Sequence, residues 1–193
     1  MSQFQLYFKL GVQHILEFDG FDHVLFVIAL CAVYLLRDWR KVLILVTAFA
    51  IGHSITLALK TFGWVTINGT LVEFLIPVTI AVTALFNIVR PRPSGGHSAQ
   101  ANYLFALFFG LIHGLSFSNV LHSLLGRERS LFEPLVAFNL GLEVGLITVV
   151  GVFLPISSVL VGMLGFNRKE WVLVISSVIL GMSLMMMVNT RFG

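Results

Sequence analysis

The sequence predicts an all-α integral membrane protein: a bundle of about six transmembrane helices with an N-terminal interfacial or re-entrant helix, forming a single domain over residues 1–193. Hydrophobic residues make up 58% of the chain and charged residues only 11%, whereas soluble domains typically contain about 25% charged residues. The mean hydropathy is +0.97. Several apolar runs approach the roughly 20 residues that a helix needs to cross a bilayer.

The order of apolar and polar segments predicts the individual helices. Residues 4–16 are apolar but too few to span, so we expect them to lie in the membrane interface or to re-enter the membrane. The predicted spans cover residues 21–36, 42–62, 71–90, 103–125, 132–154 and 170–188. A flexible loop rich in Pro, Gly and Ser is expected at residues 91–101. Pro155 is expected to kink or end the helix that contains it.

The distribution of basic residues predicts the orientation. Six spans place both termini on one side, and the loops on the other side hold slightly more Lys and Arg. The positive-inside rule therefore predicts periplasmic termini in a bacterial inner membrane. The net charge of +3 comes from helix ends, which indicates topology and not nucleic-acid binding. The expected partners are the lipid bilayer, a metal ion and, for a homo-oligomer, further copies of the chain.

Ionisable side chains recur at one depth of the predicted bundle. With about 1.5 Å of rise per residue, His23 lies about 21 Å from the cytoplasmic end of its span, His53 about 18 Å, and His113 about 15 Å. Glu143 lies about 15 to 18 Å from that end. Ionisable groups inside a membrane are costly and usually functional. The predicted metal ligands are His14, Asp22, His23, His53, His113 and Glu143.

The ligand types restrict the metal. Imidazole and carboxylate without sulfur suit nickel, cobalt, zinc or Fe(II) better than Cu(I), and the single cysteine, Cys31, excludes a site made of several thiolates from one subunit. Other polar residues are expected to support the site or to line a path to it: Asn139, Glu73, Asp19, Ser54, Thr83 and Asn87.

Two pairs of glycines predict a helix contact. Gly110 and Gly114 flank His113, and Gly141 and Gly145 flank Glu143. Small residues at this spacing let helix backbones approach closely. We therefore expect spans four and five to touch.

Several separated motifs resemble the HupE/UreJ family. They are the Asp22-His23 pair that opens a helix after His14, GHSITL at 52–57, FFGLIHGLSFSN at 108–119 and AFNLGLEVG at 137–145. The family consists of hydrogenase and urease accessory membrane proteins that are regarded as nickel or cobalt transporters. The resemblance implies metal transport and places the family's His and Asp-His motif on His14, Asp22 and His23.

The sequence also departs from the family pattern. Seven residues separate His14 from Asp22, where the family usually has five. Phe109 and Ser116 stand where the second family motif has a histidine and a glutamate. These differences indicate a divergent branch.

Three functions agree with these residues. The first, which we favour over an enzyme, is a divalent-metal transporter or permease for nickel, cobalt or zinc, without an ATP-binding motif in the sequence. The second is an intramembrane zinc-dependent hydrolase of lipid or peptide. It would use His23, His53 and His113 as zinc ligands, Glu143 or Asp22 as base, and Ser54 or Ser116 in support. The third is a metal-binding accessory scaffold.

Overall fold

The computed structural model of the protein describes residues 2–17, 21–90, 97–116 and 131–192. Within these ranges the chain forms seven α-helices, one short 3-10 helix and no strands. The α-helices are α1 (Gln3–Leu16), α2 (Phe21–Cys31), α3 (Trp39–Thr61), α4 (Gly69–Val89), α5 (His97–His113), α6 (Phe132–Gly162) and α7 (Arg168–Phe192), and the 3-10 helix, Leu36–Asp38, leads into α3. The predicted all-α class is confirmed.

The predicted number of spans exceeds what the described residues contain. Four segments are long and apolar enough to cross a membrane: Leu36–Thr61, Gly69–Val89, Phe132–Gly162 and Arg168–Thr190. The predicted first span is 11 residues long as α2, about 16 Å of helix. The predicted fourth span gives a 17-residue helix, α5, and its later part lies outside the described residues.

Two further boundaries differ from the predictions. α6 continues through Pro155 to Gly162, so the helix does not end at this proline. In the predicted loop at 91–101, residues 97–101 belong to α5, and residues 91–96 lie outside the described part of the chain. Both differences have the same reason. Pro, Gly and Ser lower the local stability of a helix, but packing against other helices decides where the helix ends.

α2 is short because the chain turns after Cys31 although the sequence stays apolar. Side chains from other helices bind backbone carbonyls at this end. The Asn87 Nδ2 donates to the Ala29 carbonyl at 2.7 Å, and the Arg168 Nη2 donates to the Val33 carbonyl at 2.6 Å. Irregular backbone at membrane depth is tolerated where protein groups satisfy it. Hydropathy alone cannot reveal such an ending.

The predicted N-terminal helix is present as α1 and packs closely against α6. The backbone at Gly11 approaches α6 so closely that a Cβ there would overlap the carbonyl of Phe138. At Gly141, a Cβ would overlap the carbonyl of Phe8. α1 is therefore a packed element of the bundle, and Ile15 near its end is fully buried.

α3 and α5 are joined in the same way. A Cβ at Gly110 would overlap the carbonyl of Phe49, and a Cβ at Gly114, about one turn later, would overlap the carbonyl of His53. The contact moves four residues toward the carboxyl end on both sides, from Gly110 and Phe49 to Gly114 and His53. The two helices therefore run parallel. The packing fixes His53 and the end of α5 relative to each other.

The predicted contact of spans four and five through these glycines is wrong. Gly110 on α5 and Gly114, directly after this helix, face α3, and Gly141 and Gly145 on α6 face α1. The spacing correctly indicates close helix packing. It carries no information on which helix is the neighbour.

Candidate metal centre

The first two histidines of the site come from the end of α1 and the start of α2. His14 lies in the last turn of α1, and His23 is the third residue of α2. Their ring centroids are 4.7 Å apart. α1 ends at Leu16 and α2 begins at Phe21, and two histidines that are nine positions apart in sequence meet at these helix ends.

Two longer helices bring one further histidine each. His53 comes from the middle of α3, and His113 is the last residue of α5. The ring centroid of His23 lies 5.4 Å from that of His53 and 5.1 Å from that of His113. His23, His53 and His113 are all at most 1% exposed.

Their possible ligand atoms form two overlapping groups. In the first, atoms of His14, His23 and His53 all lie within 4.8 Å of one another, and in the second the same holds for Asp22, His23 and His113. His23 belongs to both groups. We call His14, His23, His53 and His113 the histidine cluster. These four side chains and Asp22 are the predicted site residues that the structure brings together.

Asp22 orients the ring of His23. Its Oδ1 lies 2.7 Å from His23 Nδ1 and also accepts the backbone N–H of His23 at 2.8 Å. A carboxylate only accepts hydrogen bonds, so Nδ1 carries the proton and Nε2 of the neutral ring keeps its lone pair. His23 Nε2 is buried without a hydrogen-bond partner among the described residues. This carboxylate-histidine arrangement is the one that typically supports metal ligands.

Thr79 on α4 orients the ring of His113 in a similar way. Its hydroxyl donates to the Ile76 carbonyl at 2.7 Å and lies 2.9 Å from His113 Nε2. Since the single hydroxyl hydrogen is used for Ile76, Thr79 accepts the Nε2–H of His113. The lone pair of the neutral ring is then on Nδ1, which is buried and unpartnered among the described residues.

His53 is the least satisfied member of the cluster. Both ring nitrogens are buried, and neither has a hydrogen-bond partner in the described chain. A buried polar group without a partner is costly, and such groups in native structures call for an explanation. A cation bound by His23 with either His53 or His113 would give these buried nitrogens a partner.

Aromatic rings enclose the cluster. Phe26 and Phe49 lie 5.0 and 5.2 Å from the ring of His113, measured between centroids, and Phe138 lies 5.7 Å from that of His14. An apolar shell limits solvent access and lowers the local dielectric constant around a bound ion. In the sequence, nothing distinguishes these phenylalanines from other apolar residues of membrane helices.

Glu143 does not join the histidines as expected. It belongs to neither group of possible ligands and lies in a separate pocket between α3 and α6, where its Oε1 accepts the Thr47 hydroxyl at 3.1 Å. The rise per residue predicts the height of Glu143 along α6, but it does not predict the direction in which Glu143 points around the helix. Glu143 follows Gly141 by two residues, which is about 200° around a helix, and Gly141 faces α1.

Two other predicted residues also lie in the pocket of Glu143. Asn139 and Ser54 line it, and the Ser54 hydroxyl donates to the Ala50 carbonyl at 2.7 Å. Asn139 Oδ1 is buried without a hydrogen-bond partner among the described residues. They are therefore neighbours of Glu143.

The remaining predicted residues have different surroundings. Thr83 and Asn87 line a cavity of about 120 Å³ beside α4. Glu73 is exposed near the start of α4. Ser116 follows α5, and its backbone N–H donates to the carbonyl of His113. Asp19 lies outside the described residues.

Two threonine contacts at these sites are not predicted by the sequence. Thr79 contacts His113, and Thr47 donates to Glu143. A usable signal exists for Thr47, because it precedes Ser54 by seven residues and so shares its face of α3. No spacing along the chain indicates that Thr79 meets a histidine of another helix.

The fold and the site together define an all-helical membrane protein with a buried cluster of imidazoles suited to a metal ion. The comparison with known families agrees with this class. A family model described as HupE / UreJ protein matches residues 1–191, and the chain belongs to this family. Neither the curated proteins nor the solved structures gave a match. The family predicted from the motifs is confirmed.

Proposed function

We propose that the protein is a transporter of divalent transition-metal ions and that the ion binds in the histidine cluster. The observation that carries the proposal is that His23 shares one group of possible ligands with His53 and another with His113, while ring nitrogens of all three have no hydrogen-bond partner among the described residues. Neutral imidazole is the commonest protein ligand for such ions. In this proposal His14, His23, His53 and His113 supply nitrogen ligands.

Asp22 has a double role in this proposal. Its carboxylate holds the His23 ring in the tautomer that leaves Nε2 available, and it brings one negative charge next to the ion. Because Asp22 also belongs to a group of possible ligands, it could coordinate directly once an ion draws His23 away. Either role lowers the cost of placing a dication in an apolar interior.

The family indicates which metals to test first. The resemblance to HupE/UreJ proteins implies nickel or cobalt handling, and a site rich in imidazole suits nickel, cobalt and zinc. The family's second motif has lost a histidine and a glutamate here, at Phe109 and Ser116. We therefore propose that the ion is coordinated mainly by the histidines of α1, α2, α3 and α5.

A polar face of α4 offers a path away from the cluster. Thr79 contacts His113, Thr83 donates to the Thr79 carbonyl at 2.8 Å, and Asn87 lies a further turn along. Thr83 and Asn87 line the cavity of about 120 Å³. We propose that ions leave along this face, with both chain termini on the periplasmic side of a bacterial inner membrane.

The hydrolase receives less support than transport. A hydrolase needs a base next to the metal-bound water, and Glu143 instead accepts the hydroxyl of Thr47 in another pocket. Asp22 is engaged by His23. A scaffold would bind metal in the same cluster, so flux across a membrane distinguishes it from a transporter.

Transport is tested with the full chain reconstituted in liposomes that contain a metal-sensitive dye. Wild-type protein should admit Ni²⁺, Co²⁺ or Zn²⁺, and His53→Ala should reduce both binding and flux at least tenfold because it removes a central ligand. Thr148→Val is a matched control on α6, since Thr148 is exposed and donates to a carbonyl of its own helix. Binding without flux would indicate a scaffold, and unchanged flux in His53→Ala would refute the proposal.

A further inference from the structure

A mostly apolar pocket with a few polar groups lies next to the histidine cluster and is lined by different residues. It has a volume of about 310 Å³ and sits between α3 and α6. Its polar lining consists of Thr47 and Ser54 from α3 and of Asn139 and Glu143 from α6. His53 precedes Ser54 in the chain and is not part of the lining. The pocket is therefore a separate chemical environment on an adjacent face of α3.

The side-chain groups in this pocket present oxygen and lack imidazole and thiolate. The Glu143 carboxylate accepts the Thr47 hydroxyl at 3.1 Å, which holds the two helices together at this point. The Ser54 hydroxyl uses its hydrogen on the Ala50 carbonyl, so its lone pairs remain available. Asn139 Oδ1 is buried and has no donor among the described residues. Oxygen ligands favour hard cations over the transition metals that imidazole prefers.

The charge of the pocket favours a monovalent cation. Glu143 is the one ionisable group among the lining residues, and the other polar groups are neutral. The remaining lining is apolar, with exposed Ile51, Ile55, Val136 and Leu140 at the rim. An uncompensated carboxylate in such surroundings is costly. One positive charge would neutralise it, whereas a divalent ion would leave an excess charge.

We infer that this pocket is a site for a monovalent alkali cation, with sodium as the ion to test, in which Glu143 supplies the charge and Thr47, Ser54 and Asn139 supply neutral oxygen ligands. The space is sufficient, because a water molecule occupies roughly 30 Å³ and the pocket could hold the ion with several waters. Since Ser54 follows His53 directly, a sodium ion here would contact the helical turn that also carries a member of the histidine cluster. This site is independent of the nitrogen ligands proposed above.

The test measures binding of ²²Na⁺ to the purified full-length chain. The buffer contains choline as its cation and no transition-metal ions. Wild-type protein should show saturable binding that Glu143→Gln abolishes, because glutamine preserves the shape but removes the charge. Thr47→Val should weaken sodium binding about tenfold, in line with the loss of one polar ligand to a charged group. Thr148→Val, which removes an exposed hydroxyl elsewhere on α6, should bind sodium like the wild type.

A parallel titration with Ni²⁺ or Co²⁺ separates this inference from the proposed transport function. Glu143→Gln should keep its metal affinity, which also shows that the variant folds, and His53→Ala should lose it. Absence of saturable sodium binding, or equal binding by Glu143→Gln, would overturn the inference. The inference would also be overturned if Glu143 only exchanged protons. In that case Glu143→Gln would change how metal affinity depends on pH, and sodium would have no effect.

Discussion

Thr79→Val tests whether the cluster is organised for metal binding. The substitution keeps the branched shape of the side chain and removes the hydroxyl that accepts the Nε2–H of His113. Without this acceptor, the proton can move to Nδ1, which is the nitrogen that carries the lone pair of the neutral ring in our assignment. The valine side chain would still pack as the threonine does, so the helix itself should be little affected.

The expected magnitude follows from the role of such supporting bonds. Loss of a hydrogen bond that orients a metal-binding histidine typically costs 10- to 100-fold in metal affinity, equivalent to about 1.4 to 2.7 kcal/mol. A purely structural hydrogen bond contributes about 0.5 to 1.5 kcal/mol to folding and would leave metal affinity largely unchanged. Metal affinity and folding stability therefore distinguish the two roles.

The assay is an equilibrium competition for Co²⁺ between the protein and a chromophoric chelator. Thr79→Ser restores a hydroxyl and should recover most of the affinity. Thr61→Val is the matched control, because Thr61 is also buried and donates to a carbonyl of its own helix at 2.7 Å. Wild-type affinity in Thr79→Val, or an equal loss in Thr61→Val, would refute the reasoning.

Two further substitutions test the neighbouring contacts. Asp22→Asn keeps an acceptor for His23 but removes the charge, so Co²⁺ affinity should fall about 10- to 100-fold in the same competition assay; unchanged affinity would show that the charge is irrelevant. Gly52→Ala places a Cβ against the carbonyl of Leu107 and should destabilise the protein by about 1 to 3 kcal/mol, measured by thermal unfolding in detergent. Gly151→Ala, where nothing lies within 4 Å of the new Cβ, should not destabilise it.

The depth of the ionisable residues could be predicted from the sequence. Rise per residue is nearly constant in helices, so His23, His53 and His113 could be placed in one layer before any contact was known. The structure places them together, and their function as metal ligands stays a prediction. Glu143 lies at a similar predicted height but does not join the histidines, because a common height does not imply a common direction around the helix.

Helix partners and helix ends could not be predicted in the same way. Gly110 and Gly141 mark surfaces of close approach, but a small residue fits any neighbour equally well, and the pairing depends on the whole bundle. The end of α2 depends on Asn87 and Arg168, which approach from distant parts of the sequence. An apolar run therefore predicted one long span where the chain forms a short helix and a turn.

The short helices also contribute to the electrostatics of the cluster. α1 ends at Leu16, two residues after His14, and α5 ends at His113 before a turn at 114–116. The carboxyl end of a helix carries a partial negative charge from its unpaired carbonyls. Discontinuous helices in transporters use such ends to coordinate cations at the middle of the membrane. In contrast, α2 begins at the site, and Asp22 in its first turn places a negative charge at the positive end of that helix. The interruptions that shorten α1 and α5 therefore place two partially negative helix ends beside the histidines, while Asp22 offsets the positive end of α2.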